Sequence, residues 1–154
     1  LFDVPERPLV VMHFMYGAGQ REPCPMCTLW ADGYDKLVGH LSHRVNFVVA
    51  VAGDCGEFRD FARSRGWRHL TVVSTGGTSM KRDLKLEDEA GQQLPGVSVY
   101  VRRGDRVIHA YTACAVMGEG HFRGLDLLSP VWNFFDLTPE GRGDWFPSLE
   151  SPAL

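Results

Sequence analysis

The sequence contains no apolar run able to cross a membrane. Its uninterrupted apolar stretches are about strand length, far short of the ~20 residues a spanning helix needs. It also lacks a block of either charge: 16 Lys and Arg stand against 19 Asp and Glu, a formal net charge of -3. Without a basic stripe, neither a nucleic acid nor a membrane is expected as a partner. Cysteine is sparse. Four in 154 residues do not make a disulfide framework, so a reducing compartment, the cytoplasm, is the expected location. The opening residues, Leu1-Phe2-Asp3-Val4-Pro5, do not read as a secretory signal, and no internal repeat is visible.

With 44% hydrophobic and 23% charged residues, the chain has the composition of one packed domain. Its organising stretch is Cys24-Pro25-Met26-Cys27. Before it, Leu9 to Tyr16 is almost wholly apolar and reads as a buried strand. After it, Leu29, Trp30, Gly33, Tyr34, Leu37, Val38 and Leu41 recur at helical spacing, predicting a helix from about Cys24 to His43. Pro25 suits the first turn of that helix, where its missing N–H is not needed. Two cysteines at a helix start have a defined chemistry available. The free amides and the positive helix end favour the thiolate, which is the reactive form. Thiol–disulfide exchange follows as the expected chemistry, with Cys24 attacking from the solvent side and Cys27, one turn in, resolving. No cofactor is expected.

The remaining chain predicts an α/β fold. Val45 to Ala52 reads as a second buried strand. Asp54 precedes Glu57 by three at the start of a short helix whose apolar face is Phe58, Phe61 and Ala62. His69 to Ser74 reads as a third strand, and Thr75 to Gln93 as a long loop or insertion with room for a short helix, in which the charged Lys81 to Glu89 form a solvated face. Val97 to Val101 and Arg106 to Tyr111 flank a turn at Arg103-Gly104-Asp105, giving a hairpin. Leu125, Leu128, Trp132 and Phe135 mark a last helix that Pro130 kinks or splits. Residues 1–137 thus form the domain, and 138–154, rich in Pro, Gly and Ser, an extended tail. Helix crossovers imply parallel strands and the hairpin an antiparallel edge, with Cys24 at the carboxyl end of the first strand, where open α/β sheets place their sites.

Five stretches in this order, His13-Phe14-Met15-Tyr16-Gly17, Cys24 to Asp32, Gly96-Val97-Ser98-Val99, Arg123 to Leu128 and Asp136 to Arg142, resemble a thioredoxin-like domain-of-unknown-function family. Its members are described as predicted dithiol–disulfide oxidoreductases. The resemblance spans nearly the whole chain and implies a thioredoxin-like fold, a mixed sheet flanked by helices. It implies a protein or small-molecule disulfide as substrate and a thiol reductant as partner. Proteins of the wider superfamily place a cis-proline before the hairpin strand, facing the dithiol. Leu94-Pro95-Gly96 is similar, which makes Pro95 a third candidate site residue.

Other readings compete. Cys24, Cys27, His40 and His43 approach zinc-finger spacing. However, the last interval is short, and one continuous helix would hold the imidazoles on the order of 20 Å from the thiols. An adaptor on the same scaffold with incidental cysteines is the main functional rival, while a thiol peroxidase lacks its usual motif around Cys24. Cys55 and Cys114 read as packing residues, Trp30, Trp132, Phe134 and Phe135 as core or groove wall, and His13 as a satisfied core histidine. Arg123 and Asp126 have no assigned chemistry.

Overall fold

The computed structural model describes residues 1–17, 19–115 and 128–150. The apolar run near its start folds as strand β1, Leu9–His13, followed by helix α1, Pro25–Leu41, and strand β2, Asn46–Val51. Helix α2, Cys55–Ser64, leads to the short strand β3, Val72–Ser74, and a single-turn helix α3, Met80–Asp83. The hairpin is β4, Gly96–Arg103, with β5, Arg106–Cys114, and helix α4, Val131–Phe135, comes last. The strands make one five-stranded sheet in the order β3-β2-β1-β4-β5. β2 runs parallel to both β1 and β3, whereas β4 runs antiparallel to β1 and to β5. This order and these directions are those of a thioredoxin-like fold, and they put β1 at the centre.

Alternation along β1 divides the interior. Leu9 and Val11 join Val48 and Ala50 on one face. Met12 and Phe14 join Val49, Val51, Phe58 and the α1 residues Met26, Cys27, Trp30 and Ala31 in the larger cluster. α1 therefore packs through its first two turns, and Leu37, expected on the apolar stripe, is 49% exposed. The core position one turn on from Ala31 belongs to Asp35, which is 2% exposed. Its Oδ1 accepts from the amides of Arg68 and His69, both at 2.8 Å. Asp54 caps α2 as its spacing predicts, accepting from Gly56 and Glu57 amides. The second half of a capping box is missing, because Glu57 instead accepts from the Tyr16 hydroxyl at 3.2 Å.

Phe134 is 65% exposed. Two expectations need correction. The 81–89 segment is not a solvated face throughout, since Lys81 and Leu86 are buried. Residues 138–150 form no helix or strand, but they do not simply extend away. Trp145 packs edge-on against Trp132 and Phe135, ring centroids 5.5 and 5.0 Å away, and Arg65 Nη1 donates to Leu149 O at 2.9 Å. Pro130 ends up as the N-cap of α4, while Arg123, Leu125 and Asp126 lie outside the described residues.

Candidate active site

The segment after β1 is built to deliver Cys24 to the start of α1. Phe14 N–H donates to Ala50 O at 2.9 Å, extending the central ladder past the end of β1. Gly17 and Gln20 then pair backbone to backbone at 2.7 and 3.1 Å. Gly17 has φ +82, and a Cβ there would lie 2.1 Å from the Gly53 backbone, so only glycine fits. Cys24 N–H returns to Met15 O at 3.3 Å, which fixes Cys24 as the N-cap of α1 with Pro25 in the first turn. Thr28 closes that turn twice on Cys24 O, through its amide at 2.9 Å and its hydroxyl at 2.9 Å. Further along, the loop after α2 holds the helix by its carboxylates. Arg65 Nη2 pairs with Asp32 Oδ2 at 2.5 Å, Trp67 Nε1 donates to Asp32 Oδ1 at 2.7 Å, and the 68–69 amides bind Asp35.

The two sulfurs experience different surroundings. All four cysteines are free thiols, Cys24 half-buried and Cys27 completely buried. The Cys24 thiol is lowered to about 6, first by the hydrogen bond from the Cys27 thiol. Partial burial opposes this, and the amides of Cys27 and Met26 reinforce it. The side chain makes no cap hydrogen bond of ordinary geometry; the amides act on it as diffuse donors toward a large, polarisable anion. No acidic residue occupies the first turn to oppose the charge. Cys27 goes the other way, pushed well above 9 by burial and by its proximity to Cys24, with the Met15 amide and Lys81 pulling only partly back. One thiol is therefore an anion at neutral pH and its neighbour a neutral donor to it.

Behind the dithiol lies a buried polar cluster that the sequence did not signal. Lys81, 2% exposed, donates from Nζ to Phe14 O at 3.0 Å and to Gln93 Oε1 at 2.5 Å. The Gln93 amide also donates to Gly17 O, so it ties the dithiol loop to α3. His13 is fully buried, and its Nε2 meets Ser98 Oγ at 2.9 Å. From there the chain runs through Thr112 Oγ1 at 2.8 Å to exposed His109 Nε2 at 2.7 Å. His13 is a satisfied core histidine on that side only, because its Nδ1 has no partner among the described residues.

Pro95 is buried and immediately precedes β4, one residue beyond the Gly96–His13 pair, beside the strand end that leads to the dithiol. No cis peptide bond occurs among the described residues, so the bond before Pro95 is trans, contrary to the pattern the resemblance implies. The strand already begins at Gly96, and the Pro95 carbonyl is tied into the hairpin by Ala115 N–H at 3.0 Å. His40 and His43 are exposed at the far end of α1 from the cysteines, and no three metal-ligating side chains gather among the described residues. Cys55 opens α2 and Cys114 closes β5, its thiol raised by burial. Asp136 and Arg142, the ends of one motif, simply bind each other, with Arg142 Nε 2.9 Å from Asp136 Oδ1.

A search of curated proteins finds no match. Among solved structures, the chain is similar to a peroxiredoxin-like protein from Aquifex aeolicus at 16% identity and TM-score 0.47, covering 71% of this chain and 61% of that one. It is also similar to a secreted Mycobacterium tuberculosis disulfide oxidoreductase homologous to E. coli DsbE. There the identity is 16% and the TM-score 0.44, over 80% of this chain and 83% of that one. The present chain thus spans 61% of the length of the peroxiredoxin-like protein. Likenesses this distant carry no functional weight, and the fold stands on its strand order and directions. At the level of the whole sequence, a match over residues 1–151 shows that the chain belongs to the family described as bacterial protein of unknown function (DUF899).

Proposed function

We propose that this chain is a dithiol–disulfide oxidoreductase acting through Cys24 and Cys27. The observation that carries the reading is the split within one helical turn. A half-buried thiol lowered to about 6 sits against a fully buried thiol raised well above 9. At pH 7, about one unit above its midpoint, Cys24 is roughly tenfold more thiolate than thiol. The Cys24 thiolate attacks one sulfur of a substrate disulfide, forming a mixed disulfide and expelling the other sulfur as a thiolate, which takes up a proton. Cys27 then loses its proton and attacks Cys24 Sγ. The Cys24–Cys27 disulfide forms, the substrate leaves as a second thiolate, and the substrate is reduced by two electrons. An external thiol reductant reverses these steps on the enzyme, as a reducing cytoplasm would allow. Stabilising the Cys24 thiolate favours the dithiol form, which makes the disulfide form the more oxidising. No cofactor enters the exchange. Pro95, buried beside the same strand end, is assigned a shaping role at the edge of the site.

The test combines oxidation mapping with trapping. Mild oxidation should join Cys24 to Cys27 and leave Cys55 and Cys114 free. With protein disulfides or oxidised glutathione as substrate, the Cys27→Ser variant should accumulate a mixed disulfide at Cys24. A Cys55–Cys114 link with Cys24 unpaired, or no captured species, would favour an adaptor with incidental cysteines.

A further inference from the structure

Exchange through this pair has one unfavourable step, the ionisation of Cys27 in a fully buried setting. The thiol must shed its proton before it can resolve the mixed disulfide, and burial alone opposes that. Two groups oppose that cost, the Met15 amide and Lys81, and one peptide unit joins them: its N–H is that of Met15, and its carbonyl, Phe14 O, accepts from Lys81 Nζ at 3.0 Å. The ammonium therefore polarises the amide that meets the thiol and adds its own charge through a poorly screened interior.

We propose that Lys81 is the buried counter-charge of the resolving thiol, stabilising the Cys27 thiolate during resolution of the mixed disulfide. The inference rests on the dithiol reading and deepens it. Lys81 touches neither substrate nor the reacting sulfurs in this arrangement, so it is a positioning residue that acts through Cys27. Its location has no obvious structural economy. A lysine on a one-turn helix would ordinarily reach solvent, but this one is 2% exposed and held by Phe14 O and Gln93 Oε1. It also lines a cavity of about 250 Å³ with Ala52, Thr75, Thr78, Arg82 and Glu87. The titratable and charged groups that face Lys81 are Cys27 from α1, His13 from β1, and Glu87 after α3, the last paired with Arg82 at 3.7 Å. Burial lowers Lys81 to about 8, with Cys27 and Glu87 drawing it back up. His13, itself lowered to about 3, stays neutral and adds no competing charge at neutral pH.

Coupling between position 27 and Lys81 must be reciprocal, which allows a test that leaves Lys81 in place. The chain has only Lys36, Lys81 and Lys85 as lysines, so ¹³Cε-lysine NMR resolves Lys81 directly. Its titration midpoint should be higher in Cys27→Asp than in the neutral Cys27→Asn, because a negative charge at the thiol position favours the ammonium. Equal midpoints in the two variants overturn the proposal.

Kinetics give the second arm. Reduced protein is mixed with oxidised glutathione, and the mixed disulfide is followed by rapid quench. Lys81→Met should slow resolution about tenfold at pH 7 and move its pH profile up by about one unit. Cys24 alkylation should keep its rate and midpoint, and Lys81→Arg should recover most of the loss. Equal slowing of both steps, or no slowing, contradicts the proposal. If Lys81→Met fails to fold, the NMR titration still decides. The two readings fail differently. No Cys24–Cys27 disulfide at all refutes the oxidoreductase, whereas turnover with a Lys81 indifferent to Cys27 refutes only the counter-charge.

Discussion

The two ends of the first turn of α1 are different solvents for sulfur. At Cys24 the side chain is half-exposed, the amides of the turn act on it, and the buried Cys27 thiol donates to its sulfur. At Cys27, one turn deeper, the neighbours are Met12, Phe14, Trp30 and the other members of the main apolar cluster, with the buried ammonium of Lys81 acting on it as well. The same chemical group is thus acidified at one position and suppressed at the next. A helix N-terminus alone would lower both to some extent. Burial reverses the sign for the inner one, because desolvation acts on the charged form.

Breaking the outer half should have the largest effect. Cys24→Ser should abolish turnover and the fast alkylation at position 24 at neutral pH, whereas Cys27→Ser should stop turnover but leave Cys24 alkylation intact. The next effect tests the buried half through pH. His13 has a folded pKa of about 3 against 6.5 for the ordinary group, so between those values the unfolded chain binds more protons. Stability contributed there is complete above about 6.5 and is lost as pH falls toward 3, by on the order of 2–4 kcal/mol. Asp35 extends the loss below the ordinary carboxylate value. Burial works against its ionisation, but the His69 and Arg68 amides and the His69 and Lys36 side chains outweigh it and hold it at about 2. Chemical denaturation at several pH values should show this slope, and His13→Asn should flatten it between pH 6.5 and 4.

A smaller effect sharpens the contrast between the thiols. Cys27→Ala removes the leading cause of the Cys24 depression, so the Cys24 thiolate, followed by its ultraviolet absorbance, should titrate about one unit higher. Cys27→Ser keeps a hydroxyl donor and should shift less. Smallest of all, Thr28→Val removes the hydroxyl bond to Cys24 O at a cost of about 1 kcal/mol, roughly 2–4 °C in melting temperature. Cys24 reactivity should be unaffected. If it falls in step, the fold of the turn, not the inner thiol, controls the outer one.

What the sequence made legible was local. Cys24 as helix start, Pro25 in the first turn, Asp54 as a cap and the hairpin about Gly104 are all set by neighbours a few positions away. What it hid was set by contacts across the chain. Lys81 sits in a charge-rich stretch and its partner Phe14 is 67 positions distant, so nothing nearby marks it as buried. Asp35 interrupts the apolar face of α1 and looks like a surface residue until the amides of Arg68 and His69 close on it. Leu37, two positions after Asp35, lies on the exposed side of α1. A sequence signal exists for neither buried charge; both require the tertiary fold. At Pro95 the preceding bond is trans, where proteins of the wider superfamily place a cis-proline.

The most direct test is the pH dependence of alkylation at each of the two sulfurs, measured in one reduced sample by iodoacetamide labelling and peptide mapping. Cys24 should react with a midpoint near 6 while Cys27 stays unlabelled until well above pH 9, in line with their opposite shifts. Should both cysteines instead label together with a midpoint near ~8.5, the value of a free thiol, the split that underlies the proposed exchange does not exist.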